Sequence, residues 1–275
     1  MISPHQILCG RQEAAGAMAF RLSGLVKLCL AIALAVLPNS ASDAEGQEYV
    51  ILLHGLCRSS HSMKPMARAL SRAGYNVVNV DYPSRTASIE ELSEETLERI
   101  IRECQRNNAT TIHFVTHSLG GILVRSYLDE HTIPNLGRVV MLAPPNQGSE
   151  IVDKLGDWRL FQKINGPAGS ELGTDEHSTP NQLGAADFCV GVIAGNRSLN
   201  WINSLLIPGR DDGKVSVERT KLSGMTDHRV IPATHPFIMR NRSAIRDTLA
   251  FLRTGHFDGQ PAVEAQAPSE ESSGP

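Results

Sequence analysis

Apolar positions along the chain fall into two kinds of run that alternate. Short runs of strand length are Glu48 to His54 (EYVILLH), Asn76 to Val80 (NVVNV), Thr111 to Thr116 (TIHFVT) and Arg138 to Leu142 (RVVML). Phe188 to Ala194 (FCVGVIA) and Arg229 to Ala233 (RVIPA) continue the series. Several are apolar throughout, as strands buried on both faces are. Between them the spacing changes to that of a helix. Met63, Met66, Ala67 and Leu70 stand at i, i+3, i+4, i+7 and are closed by Gly74. Ile89, Leu92, Thr96, Leu97, Ile100 and Ile101 mark an amphipathic helix to about Asn108, Leu119 to Leu128 a third helix, and Ile245, Leu249 and Leu252 a last one. Strands alternating with helices predict an α/β fold, a mostly parallel sheet with helices on both faces.

Two stretches break the pattern. From about 146 to 186 the chain is rich in Gly, Pro, Asn and Ser, too long for an ordinary loop, and is read as a small insertion over an active site. After Gly255 it becomes polar and Pro-rich, so 256–275 is expected to be a disordered tail. At the other end, Leu28 to Leu37 (LCLAIALAVL) is an apolar run preceded by Arg21 and Lys27 and followed by small residues. It is shorter than the roughly 20 residues a bilayer span needs. Residues 1–44 therefore read as a secretory signal peptide, with an uncleaved signal-anchor as the alternative, and Met18 competes with Met1 as the start. The product is expected to be secreted or periplasmic, or membrane-anchored in the alternative. What remains, 45–255, is one domain.

Composition narrows the partners. The chain has 26 basic and 29 acidic residues, a formal charge of -3. Residues 1–44 carry Arg11, Arg21 and Lys27 against Glu13 and Asp43, and the tail carries Asp258, Glu264, Glu270 and Glu271 with no Lys or Arg. The central domain is thus close to electroneutral, which leaves nothing in its bulk charge to recruit nucleic acid. Only Cys57, Cys104 and Cys189 of the five cysteines survive cleavage, too few for a disulfide framework and without a CxxC pair.

Candidate chemistry concentrates in three places. Thr116-His117-Ser118-Leu119-Gly120-Gly121 sits between a strand and a helix, where a sharp turn exposes a nucleophile above a helix N-terminus. His54-Gly55-Leu56 ends the first strand. Asp211-Asp212-Gly213-Lys214-Val215 and Thr234-His235-Pro236 come late, and a serine hydroxyl needs such a base and such an acid. His235 directly follows the last strand, whereas His228 precedes it, and His113 and His117 lie too close to Ser118 in sequence.

In this order the segments resemble the α/β-hydrolases, in particular the H-S-L-G-G elbow of lipases and esterases. The chain departs from the G-x-S-x-G pattern at Thr116, which stands in place of the first glycine. The resemblance implies Ser118 as nucleophile, His235 as base and Asp212, in a D-G-x-V loop, as the acid. It further implies the backbone N–H groups of Leu56 and Leu119 as oxyanion donors. The activity it implies is hydrolysis of carboxylic esters, as an esterase or lipase, with no metal or organic cofactor. The partners it implies are a small-molecule or lipid ester, with transient lipid-surface contact, and no nucleic acid; Trp158, Leu160 and Phe161 read either as an apolar lip for lipid or as core residues of a short helix. Two alternatives share the same residues: an acyltransferase with an alcohol acceptor, and a non-catalytic relative that only binds a lipid or a partner.

Overall fold

A computed structural model of the chain describes residues 46–199 and 201–257. The expected signal segment and nearly all of the expected tail lie outside the described residues. Six parallel strands form one sheet: β1 Gln47–Leu53, β2 Asn76–Val80, β3 Ala109–His117, β4 Leu136–Leu142, β5 Val190–Gly195 and β6 Asp227–Ile231. Their order is β2-β1-β3-β4-β5-β6. The main helices are α1 Lys64–Arg72, α2 Ile89–Arg106 and α3 Leu119–Glu130. They are followed by α4 Glu150–Leu155, α5 Arg159–Ser170, α6 Thr179–Gln182, α7 Trp201–Leu206 and α8 Arg242–Thr254.

Strand residues alternate between two cores because successive side chains point to opposite faces. Ile51, Leu53, Ile112, Phe114, Val139 and Met141 pack under α2 and α3. Val50, Leu52, Val115, Val140 and Leu142 pack under α1 and α8. The helix after β1 and the helix after β3 therefore leave the sheet toward opposite faces. Between those two neighbouring strands a crevice opens at the carboxyl edge, where open α/β sheets bind their ligands.

Local chemistry explains the element ends. A capping box opens α2, with Ser88 Oγ accepting from the Glu91 N–H and Glu91 returning a bond to the Ser88 N–H. Asn241 caps α8 and Gly255 closes it in the left-handed conformation. Strand β6 ends two residues earlier than its apolar pattern predicts, because Pro232 has no N–H to extend the ladder. His228 accordingly lies inside β6 and not before it, with its Nε2 3.1 Å from Thr220 Oγ1. The folded chain also runs past the expected boundary at Gly255. Phe257 is buried against Phe251, and its N–H donates to Asp227 Oδ2 at 2.8 Å.

The expected insertion folds as three short helical pieces, α4 to α6, and α5 is broken at Gly166, whose φ is +69°. Buried Arg125 of α3 ties it to the sheet. Its Nη1 donates to the Asn146 carbonyl at 3.0 Å, and its Nη2 to the carbonyls of Pro180, Leu183 and Gly184 at 3.1, 2.7 and 3.2 Å. Burial without a bound carboxylate lowers the Arg125 pKa to about 10.

Candidate active site

The elbow follows from sterics. Ser118 has φ +51° and ψ -120°, a conformation that non-glycine residues adopt only when their surroundings hold them there. The surroundings here are the ladder bond from the Ser118 N–H to the Leu142 carbonyl at 2.9 Å and the seat of α3 on β1. A Cβ on Gly120 would stand 2.8 Å from Leu53 Cβ and 2.9 Å from the Leu53 carbonyl oxygen, so no larger residue fits. Thr116, the departure from the usual elbow pattern, is fully buried, and its hydroxyl lies 3.2 Å from where a Cβ on Gly121 would stand. The second glycine thus makes room for the threonine, and the turn forms with both.

The structure brings Ser118, His235 and Asp212 together. Ser118 Oγ is 3.0 Å from His235 Nε2, and His235 Nδ1 is 2.8 Å from Asp212 Oδ2. Asp212 is fully buried, whereas Ser118 and His235 are 7% and 9% exposed. The other carboxylate oxygen of Asp212 accepts from the Lys214 and Val215 N–H groups at 3.0 and 2.9 Å. The His235 N–H donates to the Asp212 carbonyl at 2.9 Å, so the two loops are joined through main chain as well as side chain. A carboxylate only accepts, which puts the His235 proton on Nδ1 and leaves Nε2 to receive the Ser118 hydroxyl proton. Asp211 turns the other way, toward Ser204 Oγ at 2.8 Å and the Gly213 N–H at 2.7 Å.

Leu119 opens α3, where a helix leaves its first N–H groups without intrahelical partners and at the positive end of its dipole. Leu56 follows β1 on the other side of the crevice. The chain there is pinned by His54, whose ring stacks on Tyr82 with centroids 4.1 Å apart. The Tyr82 hydroxyl donates to the His54 carbonyl at 2.6 Å, and His54 Nδ1 donates to the Gly55 carbonyl at 2.9 Å. Burial lowers the His54 pKa and raises that of Tyr82, which disfavours a charge on either ring.

Two further residues belong to this site. His117 donates from Nε2 to the His235 carbonyl at 3.0 Å, and its ring lies 4.9 Å from the His235 ring. Complete burial holds its pKa well below the usual histidine range, and a charge on His235 opposes its protonation further. Its adjacency to Ser118 was the signal in the sequence. Cys57, with φ +56°, follows Leu56 directly, and its Sγ lies 3.3 Å from the Ile164 carbonyl oxygen of α5. All three described cysteines are free thiols. Among the described residues no group of three or more His, Cys, Asp or Glu side chains could hold a metal ion, and no helix is long and apolar enough to cross a membrane.

Residues 48–167 match the family model described as alpha/beta hydrolase fold. Among solved structures, the mature lipase BlEst2 of Bacillus licheniformis is 19% identical with a TM-score of 0.63, over 78% of this chain and 94% of that one. Phospholipase PlaB of Legionella pneumophila, in complex with thio-NAD, is 19% identical with a TM-score of 0.60, over 75% of this chain but only 58% of its own. The metagenomic carboxyl esterase MGS0156 is 18% identical with a TM-score of 0.57, over 76% of each chain. No curated protein sequence matches the chain significantly.

Proposed function

We propose that this chain, which has the alpha/beta hydrolase fold, hydrolyses carboxylic esters through Ser118, His235 and Asp212. The continuous hydrogen-bonded path from Ser118 Oγ through both nitrogens of His235 to a fully buried carboxylate carries this reading. Lipases and esterases among its structural neighbours support it.

In this reading Ser118 Oγ attacks the ester carbonyl carbon while its proton passes to His235 Nε2. The carbonyl oxygen takes up the negative charge between the Leu56 and Leu119 N–H groups. The carbon–oxygen bond to the alcohol then breaks, and His235 returns the proton to the leaving alkoxide, which departs as an alcohol. Water adds to the acyl-serine and gives its proton to His235. Collapse releases the carboxylic acid and restores the Ser118 hydroxyl. Asp212 accepts from Nδ1 throughout and stabilises the transient imidazolium without taking a proton. His117 steadies the His235 main chain from behind.

The test is labelling of the full chain by a fluorophosphonate, followed by rates on p-nitrophenyl esters of increasing acyl length. Stoichiometric modification at Ser118 is expected, and Ser118→Ala should abolish it and lower kcat by about 10⁴-fold or more. An intact, folded protein that neither labels at Ser118 nor turns over an ester would overturn the reading.

A further inference from the structure

The mouth of the site carries charge that the mechanism does not use. Arg58 lies two residues beyond Leu56, Arg85 in the loop after β2, and Lys214 in the acid loop, two residues beyond Asp212. Three separate segments thus place three exposed cations around Cys57. Arg85 Nη1 donates to the Ile164 carbonyl at 3.4 Å, the same oxygen that meets Cys57 Sγ at 3.3 Å. Arg85, Lys214 and Arg58 all act electrostatically on the Cys57 thiol and partly offset the effect of its burial, and Arg58 reaches His117 as well.

Among the described residues no ion pair joins Arg58, Arg85 or Lys214 to a carboxylate, so all three charges remain open to a ligand. Beside the cations stands an apolar surface. Leu160 and Ile164 of α5 are 64% and 48% exposed, and α5 is seated there by the Ala168 N–H on the Ala87 carbonyl at 3.2 Å. Cations on one side and apolar side chains on the other match a molecule that has both an anion and a hydrocarbon chain. Because the domain as a whole is nearly neutral, the positive charge here is a local feature.

We propose that Arg58, Arg85 and Lys214 bind an anionic group, a phosphate or a carboxylate, carried by the ester substrate next to its scissile bond, while Leu160 and Ile164 cover its acyl chain. This rests on the hydrolase reading for the word substrate, but not for the binding. Guanidinium groups suit such a ligand because they meet its oxygens two at a time. The charge also draws anions toward the crevice, an effect that salt screens.

The experiment has a binding arm and a kinetic arm, both on the full chain. In the first, octyl phosphate and octanol are titrated into Ser118→Ala by calorimetry at submicellar concentration. Octyl phosphate should bind about tenfold or more tightly than octanol at low ionic strength, and the gap should close as salt rises. The triple variant Arg58→Gln, Arg85→Gln, Lys214→Gln should bind the two alike while keeping the parent's melting temperature. In the second arm, kcat/KM is compared for two soluble esters of one acyl chain, with a neutral or a phosphorylated alcohol. The ratio should favour the phosphorylated ester and fall toward one in the triple variant. Equal binding of the two octyl ligands overturns the proposal. So does a preference that arises only when neutral esters are presented on anionic vesicles, which would assign the cations to a membrane surface. Absence of turnover with phosphate binding intact would sink the hydrolase reading alone.

Discussion

The elbow and the insertion are joined through Arg125, yet they are held in place by opposite means. At Thr116–Gly121 every residue is buried, and the backbone is fixed by direct contact: Gly120 on Leu53, Gly121 beside Thr116, Ser118 on Leu142. Across 146–186 the attachment mixes hydrogen bonds to distant segments with a few buried apolar residues, Ile151, Ala168, Leu172 and Ala186. Arg125 gathers carbonyls from both ends of the insertion, Glu171 caps α2 at Ile89, and Trp158, Leu160 and Ile164 face outward. Dense packing leaves one position for Ser118, whereas the insertion is held largely through side-chain hydrogen bonds and turns an apolar face to solvent.

Gly120→Ala attacks the packed region and should have the largest effect. The added methyl meets β1 backbone, so we expect a loss of about 1–3 kcal/mol of stability from overpacking. A displacement of the elbow by about an ångström should also lower ester turnover by about 10²-fold. Thermal unfolding and kinetics on the same preparation measure both. Full activity in that variant would mean that the elbow is not sterically fixed.

Arg125→Met attacks the other region. It removes a buried cation and leaves its carbonyls unpaired, at about 1–3 kcal/mol in all, or very roughly 3–10 °C in melting temperature for a domain of this size. Cleavage by trypsin or subtilisin should concentrate near residues 180–187 while the elbow stays protected. Uniform proteolysis of the whole domain would erase the distinction between the regions.

Acid should separate them more gently. His54, His113 and His117 are buried on the sheet side with lowered pKa values, His113 to about 4, whereas His177 in the insertion is exposed. An unfolded chain takes up protons at these histidines near pH 6.5, and the folded one resists. Stability is therefore complete above about pH 6.5 and falls as the pH drops toward 4, by up to about 1.4 kcal/mol per pH unit for each histidine. Urea midpoints at pH 7 and pH 5 measure this, and the pH 5 midpoint should be lower. Equal midpoints would contradict the burial of the three rings.

The same contrast sets what could be read from the sequence. The elbow is local: its serine, its small neighbours and the strand before it lie within a dozen residues, so the turn at Ser118 was legible. That His235 and Asp212 would meet Ser118 was legible through order and through the D-G-x-V loop. The structure then distinguishes Asp212 from Asp211 by which way each carboxylate turns. The clamp at Arg125 left no trace in the pattern, because its partners are main-chain carbonyls 21 to 59 residues away and any residue type supplies a carbonyl. Short helices in a Gly- and Pro-rich stretch gave no period, and α5 changes direction at Gly166. The cationic group at the mouth was hidden by averaging. Three charges from distant segments vanish in a domain whose totals balance.

The strained backbone of Ser118 also orders events during folding. A φ of +51° is held only by contacts with β1 and β4, which are remote in sequence from β3. Until those strands dock, the serine relaxes to an ordinary extended or helical geometry, and its base, 117 residues downstream, is far away. The contact between Ser118 and His235 therefore needs the assembled sheet. A chain in which β1 and β4 have not yet docked on β3 lacks the turn that holds Ser118 beside His235.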